Sequence, residues 1–243
     1  MKFINSVLTK RSRLIGFLIV CTSLVLLLFT QGYDASKDQM VVISTEYGDI
    51  TVGLYADTPG HKENFLKLVK ESYYDSLLFH RVINGFMIQC GDPDSKGAAK
   101  GAPLGRGGPG YTIPAEILPN RIHKKGALAA ARQGDQVNPQ KASSGSQFYI
   151  VQGKPMSDSQ LNQLVEQRKR KTKSDTSAYT DEQLELYRTI GGTPHLDGAY
   201  TVFGEVVEGL DVIDSIALQT VDRRNRPLED IVMTMKIERR RWP

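Results

Sequence analysis

The stretch Phe79-His80-Arg81-Val82-Ile83-Asn84-Gly85-Phe86-Met87-Ile88-Gln89-Cys90-Gly91-Asp92 decides how the rest of this chain is read. Apolar and β-branched residues flank the turn pair Asn84-Gly85, which predicts two short strands, Leu77–Val82 and Gly85–Gln89. Upstream, Met40–Thr45 is apolar and β-branched, Tyr47-Gly48-Asp49 marks a turn, and Ile50, Val52 and Leu54 alternate through Ile50–Tyr55. That pattern predicts a hairpin. Thr58-Pro59 reads as an N-cap followed by proline at the first helical position, and Phe65, Leu66 and Val69 recur at helical spacing, so residues 59–70 are predicted to be a helix. Downstream, Gly91–Pro119 is rich in Gly and Pro and is expected to be mostly loop. Gly126–Ala131, Gln147–Gln152, Tyr200–Val206 and Ile231–Glu238 read as strands and Leu210–Leu218 as a helix. Many short strands with few helices predict a closed β-barrel or a sandwich.

One region breaks the pattern. Between Pro155 and Pro194 the composition turns polar and helix-forming. Ser157 with Gln160, and Thr180 with Gln183, each make a capping-box pattern. Gly191-Gly192 ends the second helical stretch. A helical hairpin over 156–193, inserted into the β scaffold, is expected.

The net charge of +4 suggests affinity for nucleic acid, but its distribution argues otherwise. Lys2, Lys10, Arg11 and Arg13 precede an apolar run, and the remaining 27 basic residues balance the 27 acidic ones. No general phosphate-backbone affinity is expected. The basic run Arg168–Lys173 reads as a solvated helix face. Leu14–Phe29 is apolar except for Thr22 and Ser23, with a basic stretch before it and polar residues after it. This is the order of a signal peptide, and the run is also close to the length of a spanning anchor. Residues 1–32 are therefore expected to be a signal peptide or signal anchor, with possible membrane attachment through 14–29, and 33–39 a short linker. An exported, periplasmic or otherwise extracytoplasmic protein follows. Cys90 is the only cysteine outside that leader and is expected to be a small buried apolar residue. His61, His80, His123 and His195 show no metal-ligand spacing, no G-x-S-x-G occurs, and Gly105–Gly110 lacks the order of a phosphate-binding loop.

Phe79–Asp92 closely resembles the signature of the cyclophilin family. Three further blocks follow in family order: G-A-L-A-A-A-R from Gly126, S-G-S-Q-F-Y-I from Ser144, and H-L-D-G-A-Y-T-V-F-G-E-V-V-E-G from His195. The resemblance covers about residues 40–155 and 195–239. It implies a mainly β fold over 40–243: a closed eight-stranded antiparallel barrel capped by two helices, interrupted by the helical insertion. It implies a peptidyl-prolyl cis/trans isomerase without cofactor or metal. Its partners would be proline-containing unfolded or extended polypeptides, and it would work as a monomer.

The chemistry of that reaction explains the residue types. Resonance gives the peptide bond a rotational barrier of about 18–20 kcal/mol, and uncatalysed X-Pro exchange takes about tens to hundreds of seconds. In the twisted transition state the lone pair localises on the prolyl nitrogen. A donor aimed there stabilises the twisted state more than either planar state. Arg81 matches the family's catalytic arginine, Gln89 the glutamine that holds substrate and arginine, and His80 a supporting histidine. Phe86, Met87, Tyr149 and Leu196 match the apolar wall of the proline pocket, and Ala131, Arg132 and Gln147 match positions along the substrate backbone. His195 stands where many members carry tryptophan, Tyr200 where many carry histidine, Arg132 where many carry asparagine, and Tyr149 replaces the commoner phenylalanine. These departures bear on substrate preference rather than on the reaction. A catalytically weak proline-peptide-binding scaffold or chaperone module is the alternative; intact Arg81, Phe86, Gln89 and Phe148-Tyr149 favour the enzyme.

Overall fold

A computed structural model describes residues 38–172 and 179–242. The expected leader at 1–32 and the linker up to residue 37 lie outside the described residues. The strands are β1 (Asp38–Thr45), β2 (Gly48–Leu54), β3 (Leu77–Leu78), β4 (Arg81–Ile83), β5 (Met87–Cys90), β6 (Thr112–Ile113), β7 (Ala127–Ala130), β8 (Ser143–Ser144), β9 (Phe148–Val151), β10 (Val202–Glu208) and β11 (Val232–Arg240). The helices are α1 (Pro59–Lys70), α2 (Asp158–Thr172), α3 (Asp181–Thr189) and α4 (Leu210–Ala217). β1 starts inside the expected linker because Asp38 and Gln39 pair with Arg240 and Arg239 of β11, an extension by backbone bonding that their polar side chains do not advertise.

Nine strands form one curled antiparallel sheet in the order β3-β11-β1-β2-β10-β7-β9-β5-β4. Its two edges, β3 and β4, are successive pieces of one segment. The Phe79 N–H still bonds to Ile231 O at 3.0 Å, on the β11 side, whereas Arg81 already pairs with Gln89 of β5. The sheet therefore curls until its edges meet through Phe79-His80. The expected closed eight-stranded barrel is thus met only approximately: the curled sheet has nine strands, and its edge strands β3 and β4 are joined by chain rather than by a ladder. β6, inside the Gly- and Pro-rich region expected to be loop, pairs with β8 in a separate two-stranded ribbon.

Val41, Ile43, Ile50, Val52, Leu128 and Ile150 fill the inside of the sheet. Cys90 is there too, fully buried, and burial holds its thiol well above the usual range, so it packs as a small apolar side chain. Phe65 of α1 makes edge contacts with Phe148 (5.2 Å) and Phe203 (5.4 Å), and Val212, Ile213 and Ile216 of α4 join the same cluster.

The start of α1 departs from expectation. Thr58 occupies the N-cap but makes no capping bond. The Gly60 and His61 N–H groups instead donate to the Glu116 carboxylate at 2.9 and 3.0 Å, and His61 Nδ1 donates to it at 2.6 Å. The orphan amides of the first turn are satisfied by a residue 55 positions away, and an anion at a helix N-terminus is also favoured electrostatically. The two helices predicted between Pro155 and Pro194 are α2 and α3, and both capping boxes form. Ser157 N–H donates to Gln160 Oε1 at 2.8 Å, and Gln183 N–H donates to Thr180 Oγ1 at 3.2 Å. Leu161 and Tyr187 from these helices are buried with Ile122.

Candidate active site

Strand register builds the site. Arg81 lies opposite Gln89 across β4–β5, and Gln89 lies opposite Tyr149 across β5–β9. Side chains alternate between faces along a strand, so these three stand in one row. Their neighbours Val82, Ile88, Cys90 and Phe148 belong to the interior cluster. Met87 and Tyr149 pack instead with Ala129, Phe86, Leu196 and Tyr200 in a second apolar cluster on the other face.

That face carries a cavity of about 560 Å³. Arg81, Gln89, His80, Phe86, Met87, Ala131, Arg132, Tyr149, Leu196 and Tyr200 all line it. Gln147 stands behind the lining. Arg81 Nη1 donates to Gln89 Oε1 at 3.1 Å, Gln89 Nε2 donates to Gln147 Oε1 at 3.1 Å, and Gln147 Nε2 donates to Gly107 O at 2.8 Å. A carboxamide has one acceptor oxygen and one donor nitrogen, so this run fixes the amide orientation of both glutamines and holds the guanidinium beside the apolar wall.

His195 does not line the cavity. It stacks on Phe86 (5.5 Å, 30°) and faces a neighbouring groove. Arg132 lines the cavity, but Nε donates to Ala199 O at 2.8 Å, Nη1 contacts Gln133 O and Asp135 at 2.8 and 2.7 Å, and its guanidinium covers the Tyr200 ring at 4.4 Å. It stiffens the wall through Tyr200 more than it offers donors to a substrate. Burial, opposed by the Asp92 carboxylate, holds the His80 imidazole down to about 4. It is neutral at neutral pH and adds no second cation beside Arg81.

Three contributors are not legible in the sequence. Residues 102–106 and the arginine-rich turn with Asp222, Arg224 and Arg226 also line the cavity. The first lies within the Gly- and Pro-rich stretch expected to be mostly loop. Asp92, fully buried, accepts from the N–H groups of Asp94 (2.9 Å), Arg106 (3.2 Å) and Gly105 and so folds this loop over the site. A Cβ on Gly107 would collide with Asp92 Oδ1, which the loop amides hold in place, so that position favours glycine. Buried Arg226 donates to Ala99 O (2.9 Å) and Ala102 O (3.2 Å), tying the two segments together.

The third contributor lies beneath the wall. The Tyr149 hydroxyl contacts His123 Nε2 at 3.0 Å, and His123 Nδ1 contacts Asp197 Oδ1 at 2.7 Å. Tyr179 and Tyr187, from the helical segment, both donate to Asp197 Oδ2. A carboxylate only accepts, so His123 Nδ1 donates to Asp197. Burial pushes the Asp197 carboxyl up, but His123 and the two hydroxyls outweigh it and hold it below the usual range. The residue types were visible, yet nothing in their spacing of 26 to 74 positions links them.

The cavity thus offers an apolar wall of Phe86, Met87, Tyr149 and Leu196 with the anchored Arg81 guanidinium beside it. It suits a ring without polar atoms adjoining a peptide carbonyl. Residues 40–237 match the family model described as cyclophilin type peptidyl-prolyl cis-trans isomerase/CLD. Relatives from Staphylococcus haemolyticus and Staphylococcus aureus strain USA300 that carry the peptidyl-prolyl cis-trans isomerase name are each 36% identical over 194 residues. The match covers 79% of this chain and 87% and 88% of theirs. The crystal structure of a Cryptosporidium parvum cyclophilin type isomerase superposes with a TM-score of 0.57 at 25% identity, covering 83% of this chain and 98% of that one. The same parasite protein in the presence of the dipeptide Ala-Pro gives 0.56. The chain belongs to the cyclophilin-type peptidyl-prolyl cis/trans isomerases.

Proposed function

We propose that this isomerase acts outside the cytoplasm on newly exported polypeptides, and that Arg81 is its transition-state donor. The observation that carries the mechanism is the Arg81–Gln89–Gln147 run beside a wall of Phe86, Met87, Tyr149 and Leu196. The prolyl ring enters the apolar part of the cavity. The guanidinium, charged at any working pH, binds the substrate carbonyl and donates to the prolyl nitrogen as its lone pair localises. No nucleophile or general base takes part, because no covalent bond is made or broken.

Export is supported by the basic residues at 2–13 followed by the apolar run Leu14–Phe29. Among the described residues no helix is long and apolar enough to cross a membrane. A monomer suits access of a long chain to an open cavity, and the polar segment 156–193 reads as an insertion between barrel strands. Two experiments test the proposal. X-Pro peptide exchange followed by NMR should accelerate in proportion to added protein. Mass spectrometry of the native protein should find a start near Tyr33, or a membrane-bound full-length chain. A soluble cytoplasmic protein beginning at Met1 contradicts the export reading.

A further inference from the structure

On the other side of Phe86 and His195 lies a second groove of about 600 Å³. Phe86 borders both spaces. His195, stacked on it, lines the groove, while the next residue, Leu196, lines the catalytic cavity. The stacked pair is the ridge where the two spaces adjoin, Phe86 lining both. The opposite bank is α2, which presents Gln163 and Gln167 four residues apart on one helix face with Leu164 between them. Both glutamines are exposed. A primary carboxamide offers donors and an acceptor together, the complement of an extended backbone whose N–H and C=O groups are unpaired. Met156 and Leu164 add apolar contact, and Thr193, whose buried hydroxyl has no partner among the described residues, also borders the groove. Lys154 is the charged member of the lining, and among the described residues no carboxylate lines it.

We propose that this groove is a flanking subsite for the same polypeptide: while the X-Pro bond occupies the cavity, the adjoining extended chain crosses the Phe86–His195 ridge and lies along α2, with uncharged or acidic residues favoured over basic ones. The inference rests on the isomerase reading and assigns the helical segment a part in substrate choice. The assignment follows from the Phe86 ring shared by the two spaces, from the amide-bearing bank, and from the sign of Lys154.

The test compares kcat/KM of the full-length protein on an X-Pro tetrapeptide and on a twelve-residue peptide with the same centre and Gln/Glu flanks. The longer peptide should be favoured by about tenfold, which corresponds to about 1.4 kcal/mol. The double variant Gln163→Ala/Gln167→Ala keeps good helix formers in α2. It should lose that gain and leave the tetrapeptide rate within about twofold. Lysine flanks should also lose most of the gain. Equal values for the two peptides, or a gain that the double variant retains, overturns the subsite. Turnover of the tetrapeptide checks the isomerase reading separately. NMR titration of the unmodified protein reads the groove without turnover: shifts at Gln163 and Leu164 with the long peptide only are expected, and their absence overturns the proposal.

Discussion

The Tyr149 hydroxyl, on the wall of the catalytic cavity, sits 3.0 Å from His123 Nε2, and through His123 and Asp197 it is joined to the two tyrosines of the helical segment. Where many cyclophilins carry phenylalanine, this chain carries a ring anchored from behind. The segment between β9 and β10 is therefore connected to the pocket by hydrogen bonds from Tyr179 and from Tyr187 of α3.

Asp197→Asn should be among the costliest polar substitutions in the protein. The carboxylate is buried and accepts from His123, Tyr179 and Tyr187, so an amide leaves at least one buried donor without a partner, at about 1–3 kcal/mol each. Urea unfolding should show a loss of about 2–3 kcal/mol. Tyr149→Phe, which removes one hydroxyl, should cost about 1 kcal/mol. Equal, negligible effects from both would mean the run is not a structural unit.

Glu116→Gln should weaken the start of α1 by about 1–2 kcal/mol, since it supplies the capping bonds that Thr58 does not. Thr58→Ala, by the same account, should cost less than Glu116→Gln. The reverse ranking in thermal unfolding would restore the threonine cap.

Stability should fall as the solution is acidified from neutrality. His80 is held down to about 4 and His61 is lowered, both first by burial, while Asp197 and Glu116 are lowered because their partners outweigh burial. Each group binds fewer protons folded than unfolded, so lowering the pH favours the unfolded chain. Above 6.5 the His80 contribution is absent. Between 6.5 and about 4 it grows to roughly 3 kcal/mol of lost stability, and the carboxylates extend the loss below 4.5. Denaturant midpoints at pH 7.5, 5.5 and 4.5 check this, and His80→Gln should flatten the slope between the first two. An unchanged slope would assign the effect elsewhere.

Much of this architecture is local and therefore legible. Alternation in Ile50–Leu54, the Asn84-Gly85 turn and the two capping boxes depend on residues within a few positions of one another, and each appears where the pattern put it. Phe86 N–H bonds to Ile83 O at 3.0 Å with Gly85 at φ +77°, the conformation that glycine alone adopts freely. Most cavity residues were legible for a different reason: the motif resemblance picked out residues that the structure brings to one cavity. What stayed hidden depends on long-range partners. Asp92 folding the 102–106 loop, Arg226 reaching Ala99 and Ala102, Glu116 capping α1 and Asp197 joining three elements all bridge segments that only the closed sheet brings together. The placement of His195 failed for a related reason: its sequence neighbour Leu196 faces the cavity, while the short turn through Pro194–Leu196 directs His195 across Phe86 into the groove.

The central claim is that Arg81, held by Gln89, stabilises the twisted X-Pro bond. The measurement that tests it most directly is turnover of an X-Pro peptide by Arg81→Ala, with folding verified by an unchanged cooperative unfolding transition. Arg81 is partly exposed at the cavity edge, so its loss should leave the fold intact. The account predicts a fall in kcat/KM of at least about tenfold, or roughly 1.4 kcal/mol of transition-state stabilisation. A folded Arg81→Ala protein that turns over the peptide as fast as the unmodified one would contradict it.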